Sequence, residues 1–403
     1  MRVLVVIAAA ICACSGRQPE SLADPTGQVA ARDLVGSAYG DPLPGLTAEE
    51  QGQFEEGRIA FIENQDAPHG LGPVFNSTSC QSCHDGPPAV GGTNQRLEIR
   101  FGRRNPDGSF DPLTSLGGSL LQDHGIGAVP GYNYVAEVVP PQANVVASRR
   151  TQPLFGLGLV DATPEATFRA LAELQAKQDP EVAGRPAMVP EIATGKLAVG
   201  RLGWKGSTPT LFQFSGDAYL NEMGLTNPQF PTENCPQGDC AALSHNPMPG
   251  MNDLDGRAVA KSANFMAFLG PPPRGRTSLR STYGQSVFGA IGCALCHVPT
   301  LVTGSAAVRA LDRVAYHPFS DFLLHDMGAL GDGIGQGDAR PSEMRTQPLW
   351  GLSAQTRLLH DGRANTVSEA ILAHDGQGRK ARDAFAGLGS FERAALLAFL
   401  GTL

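Results

Sequence analysis

The sequence predicts a mainly α chain of two related domains, with long irregular loops and a few short strands. Two observations carry that reading. The string Arg150-Thr151-Gln152-Pro153-Leu154-Phe155-Gly156-Leu157 recurs as Arg345-Thr346-Gln347-Pro348-Leu349-Trp350-Gly351-Leu352, with seven of eight residues the same. A self-similar string in each half marks a duplicated unit. Apolar residues also recur at helical spacing over Thr47 to Ile62, Pro164 to Gln175, Ser262 to Leu269, Thr282 to Ile291, Val367 to Ala373 and Ser390 to Leu400, and each run predicts a helix. Leu97 to Phe101 and Tyr132 to Val139 read as strand-like or irregular insertions in a longer first half.

Pro271-Pro272-Pro273 mark the boundary, because consecutive prolines stop a helix and stiffen a linker. The predicted layout is a leader over 1–14, an extension over 15–45, a first domain with insertions over 46–270 and a second over 276–403. A chain of 403 residues, 41% of them hydrophobic, is long enough for two cores. With 49 glycines and 31 prolines the loops are long but ordered. A net charge of -8 leaves no electrostatic footprint for nucleic acid.

The leader has the layout of an export signal: Arg2, an apolar run from Val3 to Ala13, then polar residues from Ser15. Ile11-Cys12-Ala13-Cys14 resembles a lipobox, in which Cys14 would be lipidated after cleavage. The expectation is a periplasmic chain attached to a membrane through a lipid anchor, with simple secretion as the alternative. After the leader no apolar run reaches the length needed to cross a bilayer.

Four cysteines fall in Cys80-Gln81-Ser82-Cys83-His84 and Cys293-Ala294-Leu295-Cys296-His297. This is the CxxCH haem-attachment pattern, twice. Two thiols three positions apart on one turn can each form a thioether to the porphyrin edge, and the adjacent histidine meets the iron as axial ligand. A shared zinc site fits less well, because each motif carries its own histidine and the two lie in opposite halves. The domains therefore read as cytochrome c-like haem domains carrying two haem c groups, with His84 and His297 as axial ligands. Cys235 and Cys240 lack a histidine, and an oxidising compartment favours a disulfide between them.

The strings Gly70-Leu71-Gly72-Pro73-Val74-Phe75-Asn76, Gly203-Trp204-Lys205, Phe319-Ser320-Asp321-Phe322-Leu323-Leu324-His325-Asp326-Met327-Gly328 and Leu359-His360-Asp361-Gly362-Arg363 accompany the two motifs. Together they resemble the di-haem oxidoreductases, peroxidases and thiol oxidoreductases within the superfamily of bacterial di-haem cytochrome c peroxidases, over most of the chain. The peroxidases typically place a methionine ligand eight residues after the threonine that follows their His-Asp-Gly string. Here that threonine is Thr366 and the eighth residue on is His374, so the resemblance implies a second haem held by His297 and His374. The peroxidases also carry a Trp-Asp-Gly string in the first half. This chain reads Gly158-Leu159-Val160-Asp161 instead.

The resemblance implies an exported oxidoreductase, peroxidase-like, that passes electrons between its haems and does substrate chemistry at the first. Electrons would come from a redox partner protein or small donor, and peroxide or another small oxidant would take them. The alternative is an electron-transfer cytochrome without substrate chemistry. Splitting an O–O bond needs a nearby acid or amide, and Gln122, Glu137 and Glu165 are the candidates. His69 and His124 are weaker candidates for the sixth position of the first haem; His325 and His360 read as propionate or loop-orienting residues. The loop Gly331 to Asp338 offers Asp and carbonyl oxygens to a calcium ion, although a solvated glycine loop is the plainer reading. Met248 and Met251 offer thioethers, or simply pack.

Haem-stained denaturing gels test the attachment directly. Replacing Cys80 and Cys83 together, or Cys293 and Cys296 together, should halve the covalent colour; full colour in either double variant refutes the two-haem reading.

Overall fold

A computed structural model describes residues 31–403 apart from positions 35, 87 and 251. The leader, Cys14 and Met251 therefore lie outside the described residues. Among the described residues ten α-helices run in chain order as α1 (Ala48–Ile62), α2 (Gln81–His84), α3 (Leu157–Asp161), α4 (Glu165–Gln178), α5 (Leu211–Met223), α6 (Arg257–Phe268), α7 (Leu279–Ala290), α8 (Val367–Leu372), α9 (Arg379–Gly387) and α10 (Ser390–Leu400). Sixteen short strands accompany them among the described residues. The fold is mixed α/β rather than mainly α, which corrects the sequence expectation. The longest strands, Leu97–Arg104 and Val145–Arg150, pair antiparallel from Leu97↔Arg150 to Gly102↔Val145. Alternation over so few residues, in a chain rich in glycine and proline, leaves a weak sequence signal.

Local chemistry explains where the helices begin. Thr47 caps α1, and its N–H bonds the Glu50 carboxylate in return, so two orphan donors of the first turn are satisfied. Phe54, Gly57 and Phe61 then put one face of α1 against α6. Phe265 of α6 stacks on Phe54 at 5.2 Å and lies 4.8 Å from Phe61. Ser278 caps α7 with the same reciprocal pair, and Thr210 and Thr366 cap α5 and α8 through their hydroxyls alone.

The largest core is not confined to one half. Phe54, Phe61, Leu154, Leu159 and Phe168 share it with Leu301, Val314, Tyr316 and Phe322. A strand at Arg32–Asp33 also pairs, in parallel, with Val314–Ala315. Pro271 and Pro272 are buried rather than exposed. A second core is local to the C-terminal region, where Val287, Phe288, Phe319, Phe385, Leu396 and Phe399 pack together. No helix among the described residues is long and apolar enough to cross a membrane.

α7 and α10 meet at Gly284, where an added Cβ would lie 1.9 Å from the Ala395 carbonyl oxygen. Alanine is the better helix former by about 1 kcal/mol. Backbone cannot yield there, so Gly284→Ala should nonetheless destabilise the protein by about 1–3 kcal/mol. A denaturant midpoint equal to or above that of the parent refutes this account of the α7–α10 contact.

Candidate functional site

At the first motif the chain makes a single turn. Cys83 N–H and His84 N–H both bond the Cys80 carbonyl, at 3.2 and 2.9 Å, which brings all three side chains onto one short surface. Cys80 packs between the largest core and a smaller one formed by Leu71, Phe75, Tyr219 and Met223. Burial, with the Cys83 charge beside it, pushes the Cys80 thiol up to about 12. Burial pushes His84 down to about 4, against the opposing pull of the Gln152 and Gly92 backbone. The buried His84 Nδ1 has no hydrogen-bond partner among the described residues.

At the second motif His297 N–H bonds the Cys293 carbonyl at 2.9 Å. His297 Nδ1 lies 2.9 Å from the Phe319 carbonyl, and His374 Nδ1 lies 2.8 Å from the Ala370 carbonyl. A carbonyl only accepts, so both rings carry their proton on Nδ1 and keep the Nε2 lone pair free. Both histidines line one cavity of about 470 Å³, whose walls include Phe288, Leu349, Trp350 and Ile371. Burial pushes His297 down to about 4, and the charge on His374 acts in the same direction. Their arrangement is that of two imidazoles facing a shared apolar space.

Both copies of the repeated string border the same cavity through Arg150, Gln152, Arg345 and Gln347. The two glutamine Nε2 atoms are buried and have no hydrogen-bond partner among the described residues. The two arginines are buried and bond only neutral oxygens: Leu359 O and Gln355 Oε1 for Arg150, Gly203 O and Thr346 O for Arg345. Burial pulls them down to about 10 and about 9. Two buried cations without a bonded carboxylate and two orphan amide donors call for an anionic, hydrogen-bond-accepting occupant.

The remaining sequence candidates are distributed unevenly. Gln122 and Glu137 come together: Glu137 Oε2 accepts from Gln122 N–H at 2.9 Å and Oε1 from Gln237 N–H at 2.6 Å. Burial raises the Glu137 carboxyl, and those N–H groups oppose the rise. Glu165 lies apart from that pair, accepting from Val199 N–H at 3.0 Å and from Arg169 at 3.2 Å. Cys235 and Cys240 are joined through their sulfurs. His69 and His124 sit at the surface, each against a neighbouring carboxylate, Asp66 and Asp123. His325 bridges the second motif to Asp321, with Nδ1 3.7 Å from Cys296 Sγ and Nε2 3.0 Å from Asp321 Oδ2. His360 is buried beside Trp204. Met248 is exposed.

The calcium reading of the Gly331 to Asp338 loop does not survive its electrostatics. Asp332 is held by Arg149 at 2.7 Å and Lys205 at 2.8 Å, and Asp338 by Arg185 at 2.5 Å. Side-chain cations occupy both carboxylates, which leaves the loop no free anionic ligand for an ion.

One half-buried acid escaped the sequence reading. Glu222, in the last turn of α5, accepts from Asn76 Nδ2 at 3.1 Å, four residues ahead of Cys80. Its charge pushes both Cys80 and Cys83 upward. The one available signal was its position: a carboxylate in a C-terminal turn opposes the helix dipole.

The family model described as "Di-haem oxidoreductase, putative peroxidase" matches residues 141–403. No curated relative matches the chain. Among solved structures, the Kuenenia stuttgartiensis hydrazine synthase is 16% identical with a TM-score of 0.38, covering 100% of this chain and 99% of its own. A MauG-like protein associated with microbial copper homeostasis is 15% identical with a TM-score of 0.38, covering 93% and 94%. The diheme peroxidase BthA from Burkholderia thailandensis is 15% identical with a TM-score of 0.40, covering 93% and 92%. With more than half of its length matched by the family model, the chain belongs to the di-haem oxidoreductase family and is an oxidoreductase.

Proposed function

We propose that this protein is an exported, peroxidase-like di-haem c oxidoreductase with two haem domains, over 46–270 and 276–403, and with substrate chemistry at the first haem. The observation that carries the reading is an asymmetry between the motif histidines. His297 faces a cavity shared with His374, and both have a free Nε2. Among the described residues the groups that shift His84 are the backbone of Gln152 and Gly92, with no second histidine among them.

Haem fits the residues present. Cys293 and Cys296 would hold one group by thioethers, with His297 and His374 as axial ligands. Arg150, Arg345, Gln152 and Gln347 would answer the two carboxylates of such a group, since among the described residues the two arginines bond no carboxylate and the two glutamine Nε2 atoms no partner. Cys80 and Cys83 would hold the other, with His84 as its axial ligand. When bound, these groups supply one-electron redox chemistry and, where iron has a single protein ligand, a position open to a small oxidant.

The chain's own residues then have distinct tasks. The carbonyls of Phe319 and Ala370 fix the tautomer and ring orientation of His297 and His374. The apolar lining keeps water from the second site. Gln152 borders the second cavity, and its backbone lies beside His84, so the segment from Arg150 to Pro153 is the shortest protein bridge between the two sites that these contacts define. Glu137 remains a candidate for holding a proton near the first site, and Gln122 for offering an amide hydrogen bond there. Glu137, with an N–H on each oxygen, is the more firmly placed of the two. Glu165 is structural in this reading. The substrate is peroxide or another small oxidant, the donor a redox partner protein or small molecule, and the setting the periplasm, with Cys14 as lipid anchor.

Two measurements test the asymmetry. His374→Gly should turn one haem high-spin in the electron paramagnetic resonance spectrum, and His374→Met should keep it low-spin but raise its reduction potential; unchanged spectra in both variants reject the ligand. Cyanide or peroxide added to the oxidised or half-reduced protein should shift the spectrum of one haem only. Two haems inert to both ligands in every redox state would make the protein an electron carrier without substrate chemistry.

A further inference from the structure

Glu222 occupies a position that local chemistry disfavours. It lies in the last turn of the 13-residue helix α5, where the backbone dipole presents its negative end. Its surroundings hold it there. The Glu222 carbonyl accepts from Asn76 N–H at 2.8 Å and Ser77 N–H at 2.9 Å. The next glycine along, Gly224, approaches Gly72 so closely that a Cβ on either would lie 2.5 Å from the other's Cα. The end of α5 is therefore locked onto the strand Val74–Phe75 and the turn that leads into Cys80.

The charges around Glu222 are unbalanced. The charges of Asp217 on the same helix and of Glu98 and Arg100 on the strand Leu97–Arg104 act on it. Arg100 is committed to Glu98, with bonds at 2.9 and 3.4 Å. Asp217 bonds Asn221, and beyond Glu98 the cations Arg149 and Lys205 both hold Asp332. Arg96 and Asp123, which flank Cys83, pair with each other at 3.0 Å. Four carboxyl groups (Glu98, Asp217, Glu222 and Asp332) thus face three cations (Arg100, Arg149 and Lys205) in one network that is fully buried at Arg149 and Lys205 and half-buried toward Glu222. Asp217 and Glu222 are the two members whose carboxylates have only an amide donor, and of these Glu222 is the one bonded to the segment that leads into Cys80, through Asn76. A locally disfavoured residue held in place by its surroundings points to function.

We propose that Glu222 is the proton-coupled partner of the first haem: it binds one proton from solvent when a one-electron donor reduces the iron held by His84, and releases that proton on reoxidation. The inference rests on the haem assignment at Cys80, Cys83 and His84. The balance is simple. The donor loses one electron, the iron gains it, and the carboxylate becomes a carboxylic acid, so the net charge of the buried site is unchanged. In a low-dielectric interior an uncompensated electron is costly, and a neighbouring acid already crowded by like charge is the group readiest to take a proton. Burial and the Glu98 charge together push Glu222 up to about 7, where small changes of field switch its state. Cys80 and Cys83, once in thioethers, no longer titrate and do not compete for the proton.

Spectroelectrochemical titration of the full-length holoprotein on both sides of neutral pH tests this. The first-haem potential should fall as pH rises, by up to about 59 mV for each tenfold drop in proton activity. In Glu222→Gln the potential should be higher and the slope lost, and Glu222→Asp should restore a slope. A slope retained in Glu222→Gln overturns the inference. Should that variant fail to fold, dye-monitored proton uptake by the parent protein decides: close to one proton per first haem near neutral pH supports the proposal, and none overturns it. Absence of haem stain from the Cys293→Ser/Cys296→Ser chain would instead overturn the assignment of the first haem, and the inference with it.

Discussion

The buried ion cluster of Arg149, Asp332 and Lys205 is the constraint on which the rest of the arrangement depends. Arg149 is 2% exposed and Lys205 is fully buried. Asp332 receives both cations, and Lys205 also donates to the carbonyls of Pro341 and Glu343. Burial alone would raise the Asp332 carboxyl, but Arg149 and Lys205 overcome it and hold it below the usual carboxylate range. Its folded pKa is depressed, so its stabilisation is present above the unfolded value near ~3.9 and is lost as pH falls through the lower folded value. Removing one member of such a cluster strands the others, which costs about 3–5 kcal/mol. The cluster joins a strand of the first half, the residue after Trp204 and a loop of the second half.

The cluster also explains why the repeated string matters. Arg150, the first residue of the first copy, follows Arg149 directly, so fixing Arg149 in the interior sets the register of the string. Arg150 N–H bonds the His360 carbonyl at 2.7 Å, and Trp204 Nε1–H bonds the Arg150 carbonyl at 2.9 Å. The second copy makes the mirror contact, with Arg345 N–H on the Trp204 carbonyl at 3.0 Å. Each copy then turns at a left-handed glycine, Gly156 at φ 72° and Gly351 at φ 74°, which only glycine adopts without strain. The one difference between the copies, Phe155 against Trp350, lies where they touch: a Cβ on Gly156 would come 2.7 Å from the Trp350 ring.

Much of this was legible in the sequence where spacing alone dictates chemistry. The CxxCH turns and the Thr47 capping box follow from residue type and offset, and the helix expectations ending at Ile62, Leu269 and Leu400 agree with α1, α6 and α10 to within a residue at that end. α5 was missed because its buried stripe includes Ser215 and Gly216, which no apolar periodicity reveals. α9 was missed because it is strongly polar with a single buried residue, Phe385. The cavity's polar rim was equally hidden. Arg150 and Arg345 look like surface residues until the fold buries them, and Glu222 acquires its environment only when α5 packs on the segment before Cys80. His374 came from family resemblance, since nothing in its local sequence marks it as a ligand.

The asymmetry between the halves has a packing origin. Thr366 caps α8, and eight residues later His374 reaches the second cavity. The corresponding threonine of the first half is Thr163, and eight residues on stands Leu171. Thr163 does not act as a free cap: its hydroxyl bonds the Leu159 carbonyl at 2.9 Å and the Tyr316 hydroxyl at 2.6 Å. α4 then runs for 14 residues rather than the six of α8, and buries Phe168 and Leu171 in the large shared core. A histidine at position 171 would place a polar ring in that core without a partner, at a cost of several kcal/mol. The position of the first half that corresponds to His374 is thus spent on the core shared by both halves, and this packing is what favours the proposal of an open position at His84.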